Sequence, residues 1–362
     1  MKKKLITLAV AAAFAPAMAM AEVTVYGQAH LSLDSHSGNG GATATGTQDG
    51  MQITSNSSRL GFKGATELSN GMKALFQYEA SVAGDGSGAG TIFNGTRDTF
   101  IGLGGGFGTV LAGRLPLTNQ YLYDVNFFAD QVGDVGNLAV VGNIVGGRVN
   151  RALAYAAPGM GGVSVLAAFV PNTQESVGAG QAVANKQSSF TLRGSYSGGP
   201  VTAALSYQSI GVAGVAATML KDAKLTVASV SASYDFGMGK AGVQYTSNGA
   251  NAEANNGGSS TTQNTITAGA SFKVSDEGVV KAQFTKTAKS SVANSNDGAT
   301  MMAVGYDHSM DKSTTVYVAY AKVTNDDGAS FSASGWGHSG VGAPSAAGKD
   351  PSAVSVGAVY KF

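Results

Sequence analysis

Val354-Ser355-Val356-Gly357-Ala358-Val359-Tyr360-Lys361-Phe362 is the stretch whose reading decides the fold. Val354, Val356, Ala358, Tyr360 and Phe362 share one parity, and Ser355, Gly357 and Lys361 hold the other. Side chains of a strand alternate between two faces, so this is a strand with one apolar face. Phe362 then sets an aromatic at the end of that face. A barrel that crosses a membrane carries a girdle of aromatics at such a rim. An ordinary sandwich strand alternates in the same way, so the other end of the chain must decide between them.

That end begins Met1-Lys2-Lys3-Lys4, continues apolar over residues 5–15, and reaches Ala19-Met20-Ala21. A basic start, an apolar run and small residues at the −3 and −1 positions predict a secretory signal peptide over residues 1–21. The single domain then spans residues 22–362. The apolar run is too short to serve comfortably as a membrane anchor. There is no cysteine in 362 residues, so disulfides do not hold the exported fold. Only 12% of residues are charged, and removing the three lysines lowers the formal charge from +1 to −2. No strongly basic surface exists, so nucleic acid is not an expected partner. Residues 152–170 carry no charge, but Pro158-Gly159-Met160-Gly161-Gly162 interrupts them. That cluster signals a turn between two strands instead of a helical span.

Alternation recurs along the rest of the chain. Strands are predicted over residues 23–34, 58–68, 71–82, 97–104, 109–114, 153–157, 163–170 and 188–196. Eight more follow over 201–208, 225–236, 240–247, 262–274, 278–287, 300–308, 313–324 and 352–362. Short joins, such as 69–70 and 237–239, alternate with long polar ones at 35–57, 84–96, 115–150, 172–187, 248–261 and 325–350. Short turns at one end and long loops at the other are the pattern of an outer-membrane barrel. The expected fold class is therefore all-β, a transmembrane antiparallel β-barrel of sixteen strands. A bilayer offers no hydrogen-bond partners, and a closed sheet satisfies every backbone group internally. At about sixteen strands the interior is wide enough for an aqueous channel.

These residues also carry a resemblance. Glu22-Val-Thr-Val-Tyr-Gly-Gln-Ala-His-Leu31, Ser58-Arg-Leu-Gly-Phe-Lys-Gly64, residues 100–114 and Val359-Tyr-Lys-Phe362 occur in the order seen in the general diffusion porins of Gram-negative outer membranes. The chain resembles that family over its whole mature length. The resemblance implies a homotrimer in outer-membrane lipid, without cofactors. It also implies a third loop, residues 115–150, folded into the lumen as a constriction. The terminal aromatics, Tyr360 and Phe362, would be read by the outer-membrane assembly machinery.

A long loop without secondary structure in a compact protein is usually functional. This one holds Tyr121, Tyr123, Phe127 and Phe128, expected to anchor it to the inner wall, among Asp124, Asp130 and Asp134, expected to face the pore. An external loop with aromatics packed on its neighbours is the alternative. The resemblance implies a basic cluster opposite. Arg59 and Lys63 have the lumen parity, opposite Leu60 and Phe62. Arg97 is opposite in parity to Phe100, and Arg114 to Leu111. Arg148 and Arg151 begin the sixth strand, but Arg151 shares parity with Leu153 and Tyr155, which leaves its facing open. Together with Glu79 the opposing charges are nearly balanced. The family's Pro-Glu-Phe loop tip is absent, so the carboxylates opposite the arginines are not fixed by the resemblance.

Charge across a narrow lumen sets selectivity, so passive diffusion of small hydrophilic solutes and ions with a slight anion preference is expected. A substrate-specific channel and a non-conducting surface barrel are the alternatives. No enzyme is expected: the four histidines, His30, His36, His308 and His338, lie near no G-x-S-x-G motif. Gly102–Gly108 lacks the spacing of a phosphate cradle. No His/Cys pair has metal-ligand spacing.

Overall fold

The computed structural model describes residues 23–362 apart from 41, 44–45, 48, 88–90, 118–119, 141–146, 172–187, 213–219, 255–259, 339–343 and 345. The expected signal segment lies outside the described residues. Sixteen strand positions close into one antiparallel barrel. They are β1 (Thr24–Ser37), β2 (Gly50–Ser55 and Arg59–Glu67), β3 (Lys73–Val82) and β4 (Phe93–Thr96 and Thr99–Gly105). Next come β5 (Gly108–Leu115), β6 (Val149–Ala156), β7 (Val163–Val170) and β8 (Ser189–Gly198). They are followed by β9 (Val201–Val212), β10 (Leu220–Asp235), β11 (Gly239–Ala254) and β12 (Ser260–Lys273). The last are β13 (Gly278–Thr287), β14 (Ala299–Ser309), β15 (Thr314–Asn325) and β16 (Ser352–Lys361). Each pairs with its neighbour, and β16 returns to β1 from Gln28 opposite Lys361 to Ser37 opposite Ser352.

The barrel is apolar outside and polar inside. On β1, Val25 and Leu33 are 53% and 46% exposed, while His30 and Asp34 are 2% and 0% exposed. Gln208, Gln244, Gln283, Thr285 and Ser355 are buried in the same way on other strands. A water-soluble protein would invert this distribution. Exposed Phe107, Tyr155, Tyr196, Tyr234, Phe236, Phe272, Tyr360 and Phe362 gather at the short-turn end. They form the aromatic girdle expected where a barrel meets the membrane surface. Among the described residues no helix is long and apolar enough to cross a membrane.

Two strands are broken, and both breaks matter inside the barrel. In β2 the interruption falls at residues 56–58, where Ser57 has φ 52°. In β4, Thr96 opposes Ala80 and Phe100 opposes Gln77. Three residues, Arg97 to Thr99, thus face two on β3, which is a bulge. An extra residue moves every later side chain to the other face. Several stretches expected as loops are strand extensions. Gly50–Ser55, Phe93–Thr96 and the upper part of β11 pair although they are rich in Ser, Thr, Asn and Gly. Beyond the membrane a strand has no apolar face to advertise itself.

Candidate functional site

The third loop leaves β5 at Leu115, enters the barrel and returns at Val149. Inward glutamines on alternate strands take hold of its backbone. Gln208 on β9 donates to the Leu117 carbonyl at 2.7 Å, and Gln244 on β11 donates to the Tyr121 carbonyl at 2.9 Å. Gln283 on β13 donates to the Gly133 carbonyl and accepts from the Phe127 N–H, both at 2.9 Å. Thr287 donates to the Leu138 carbonyl at 3.1 Å. Each such bond contributes about 1 kcal/mol net, and together they set the loop's path.

The loop aromatics pack against a wall of small residues. Phe128, Val132 and Leu138 lie on Ala299, Ala303, Ala319, Ala321 and Ala353 of β14 to β16, with Met301 and Tyr317 among them. Tyr121 and Leu122 lie on Ile210, Leu225 and Val227. Phe127 covers Gly269, and Phe128 covers Gly305; a methyl group at either glycine would overlap the ring. Burial pushes the Tyr121 hydroxyl, and the Tyr123 hydroxyl near Asp130 and Asp134, above the ordinary tyrosine range.

The aspartates do not face the pore as a set. Asp134 is fully buried and caps a short 3-10 turn (Val135–Leu138). Its carboxylate accepts from Gly136 N–H and Asp130 N–H at 2.8 Å and from Asn126 Nδ2 at 2.9 Å. Burial, then the nearby Asp130 charge, raises its pKa from 3.8 to about 7. Asp124 pairs with Arg193 of β8, whose Nη1 lies 3.0 Å from Asp124 Oδ2 and 2.7 Å from Ser206 Oγ. Ser231 also donates to Asp124 at 3.1 Å. Short polar and acidic side chains serve readily as caps, and here that role takes Asp134 out of the lumen. Asp130 stays partly exposed, 4.0 Å from Arg59 Nη1.

The basic residues also divide. Arg59 points inward, donating to Gln28 Oε1 and to the Ser57 carbonyl at 3.2 Å. Lys63 follows on the same face, 5.0 Å above the Tyr26 ring and open to lumen water. Arg97 meets Glu79 at 2.5 Å, and Tyr26 donates to the same carboxylate at 2.9 Å. Arg97 faces inward for a reason other than the expected one. Phe100 also turns inward, against Leu75 and Leu111, because the β4 bulge lies between them. Arg148 pairs with Asp98 at 2.5 Å.

Arg114 corrects the expectation. Leu111 and Leu115 are the inward side chains of β5, 4% and 3% exposed, so Arg114 takes the opposite side. It donates to the Thr96 carbonyl at 2.9 Å and to Asn150 Oδ1 at 2.5 Å. Arg151 sits exposed in a bulge of β6 with φ 55°. Two lumen cations escaped the sequence reading, Arg193 and Lys281. Lys281 bonds Gln131 Oε1 at 2.7 Å and Asp307 at 2.9 Å, and lies 4.7 Å from the Phe128 ring centre. Both stand on the polar parity of their strands, which is the signal that finds them.

A closed sixteen-strand barrel with a lipid-facing exterior, a polar interior and an inward loop belongs to the class of outer-membrane channels. The sequence model of the Gram-negative porin family matches residues 7–328, and the chain belongs to that family, a family of the cell outer membrane. It is 29% identical over 346 residues to outer membrane porin protein 32 of Delftia acidovorans, covering 90% of this chain and 91% of that one. Against the major outer membrane protein P.IB of Neisseria meningitidis serogroup B it is 42% identical over 130 residues. That match covers 35% of this chain and spans only 37% of the neisserial protein. An anion-selective porin from Comamonas acidovorans shares the fold, with TM-score 0.71 and 23% identity over 95% of this chain and 100% of that one.

Proposed function

We propose that this porin is a water-filled channel for passive diffusion of small hydrophilic solutes and ions, weakly selective with a slight anion preference. It is a channel, not an enzyme. The charge pattern at the loop carries the reading. Glu79, Asp98, Asp124 and Asp307 are each engaged by a cation, and Asp134 is buried. Lys63 faces lumen water, and among the described residues no carboxylate lies within ion-pair distance of it. Arg59 shares its charge with Asp130 only at 4.0 Å. An anion therefore meets the accessible charge of Lys63, while Asp130, loosely paired with Arg59, is the one loop carboxylate left partly exposed. The Comamonas porin named as anion-selective agrees in direction.

The working unit is a homotrimer in outer-membrane lipid, exported by a signal peptide cleaved after Ala21. Phe362 exchanges backbone hydrogen bonds with Gly27 at 3.0 and 3.2 Å, and its ring stacks beside Tyr360. That pair is the recognition mark for the assembly machinery. Refolded protein in planar bilayers should give ohmic conductance steps grouped in threes. A folded, heat-modifiable protein with no conductance would sink the channel reading, and single steps only would sink the trimer.

A further inference from the structure

Three of the four histidines meet on the inner wall, and they come from two separate parts of the chain. His30 and His36 project inward from β1, and His338 arrives from the last loop. His30 Nε2 lies 2.9 Å from Tyr317 Oη of β15. His36 Nδ1 lies 3.3 Å from Ser334 Oγ of the last loop. His338 Nε2 stands 4.0 Å from Asp34 Oδ2, and neither side chain has any exposed surface. The His338 backbone forms an antiparallel bridge with Asn56, in the break of β2.

The other side of the same segment grips the third loop. The Ala333 carbonyl accepts from Gly133 N–H at 2.9 Å and from Asn137 Nδ2 at 3.0 Å. Trp336 N–H donates to Asn137 Oδ1 at 2.8 Å. The Trp336 ring covers Gly136 so closely that no side chain fits there. Residues 326–338 thus tie the third loop to the wall at β1 and β2.

The wall end of this tie is unusual. The His338 ring, His36 Nε2 and Asp34 Oδ1 are buried; the His338 ring has the Trp336 backbone beside it, and neither His36 Nε2 nor Asp34 Oδ1 has a hydrogen-bond partner among the described residues. Unpaired buried polar atoms are costly and rare. They do not converge as metal ligands: no group of three such side chains among the described residues could hold an ion. What the two imidazoles can do is take up protons.

We propose that residues 326–338 are a strap that holds the third loop inside the barrel, and that protonation of His36 and His338, which are buried beside Asp34, releases it. The proposal rests on the channel reading above. Burial pushes His338 below its ordinary 6.5, against the opposing pull of Asp34, the Trp336 backbone and Asp130. A base whose pKa is lowered in the docked state favours docking above pH 6.5, and that contribution is lost as the pH falls below it. The charged groups facing the cluster come from each element around it. β1 supplies Asp34 and the two histidines, the third loop supplies Asp130, and the first loop supplies Asp49. β2 supplies Arg59, and β15 supplies the Tyr317 hydroxyl. Asp130 already lies beside Arg59, and Asp49 accepts from Asn39. Asp34 is then the one carboxylate at the centre for two histidines, and the second proton has no counter-charge without solvent.

Trp336 is the sole tryptophan of the chain, so intrinsic fluorescence reads the strap directly. Acrylamide quenching of the refolded full-length protein, titrated from pH 7.5 to 4.5, should rise severalfold with a midpoint below 6.5. His338→Asn and His338→Gln should flatten that rise while heat-modified gel mobility stays native; Asp34→Asn serves if either fails to fold. Quenching that does not change with pH, or an equal rise in folded His338→Asn, would overturn the strap. The optical readout needs no conductance, so a failure of the channel reading would appear separately.

Discussion

In the proposed channel, Lys63 is the residue on which ion preference turns. A unit charge about 10 Å from a permeating ion in water contributes about 0.4 kcal/mol. Lys63→Glu changes the wall by two charges, which shifts chloride and potassium by about 0.8 kcal/mol each in opposite directions, so the chloride-to-potassium permeability ratio should fall roughly fifteenfold. Bi-ionic potentials of the variant and the parent check this; equal ratios would mean that ions do not pass near Lys63. Asp134 acts differently, through the loop. Asp134→Ala removes the acceptor of three hydrogen bonds and should cost about 1–3 kcal/mol of loop docking. Protease cleavage within the loop should speed up roughly tenfold. Because its pKa rises from 3.8 to about 7 on docking, the wild-type contribution is full below the lower value and declines as pH rises through the upper one. The gap between the two proteins should therefore widen on acidification, and a gap that narrows would refute the burial assigned to Asp134. At this scale the sequence was partly legible. Parity alone places Arg59 and Lys63 inward, and it would have placed Arg193 and Lys281. It misplaces Arg114, because Leu111 faces an apolar patch inside the barrel instead of lipid.

The elements that position the third loop are less visible in sequence than the loop itself. Length and four aromatics mark the loop, but its partners are glutamines, alanines and glycines spread over seven strands. Each is an ordinary lumen residue until the loop lies on it. The bulge at Arg97–Thr99 is equally hidden, since one extra residue leaves no compositional trace. Strand extensions beyond the membrane were read as loops because alternation fades where both faces are wet. Gly269 offers the cleanest test of the docking surface. Gly269→Leu would place a side chain where the Phe127 ring sits, and the barrel strands need not move. Open-channel current noise should increase while the thermal unfolding of the barrel stays within a few degrees of the parent. A quiet, unchanged current would show that Phe127 does not hold the loop.

For the whole molecule, closure and inside-out polarity follow from one constraint, that lipid supplies no hydrogen bonds. Sixteen strands, their order and the alternation of short and long connections were all legible, because each membrane-crossing segment must repeat the same pattern. The seam between β16 and β1 completes the pairing, and Phe362 is bonded to Gly27 there. Removing Phe362 should lower the amount of assembled barrel in the outer membrane more than it alters ion preference. Normal assembled levels with shifted selectivity would contradict that role. What the alternation does not contain is the charge seen by a passing ion, which depends on which carboxylates find partners. The most direct test of the account is the zero-current potential of the wild-type channel across a tenfold potassium chloride gradient. The sign should be that of a channel passing chloride somewhat more readily than potassium, and a clear potential of the opposite sign would contradict the account.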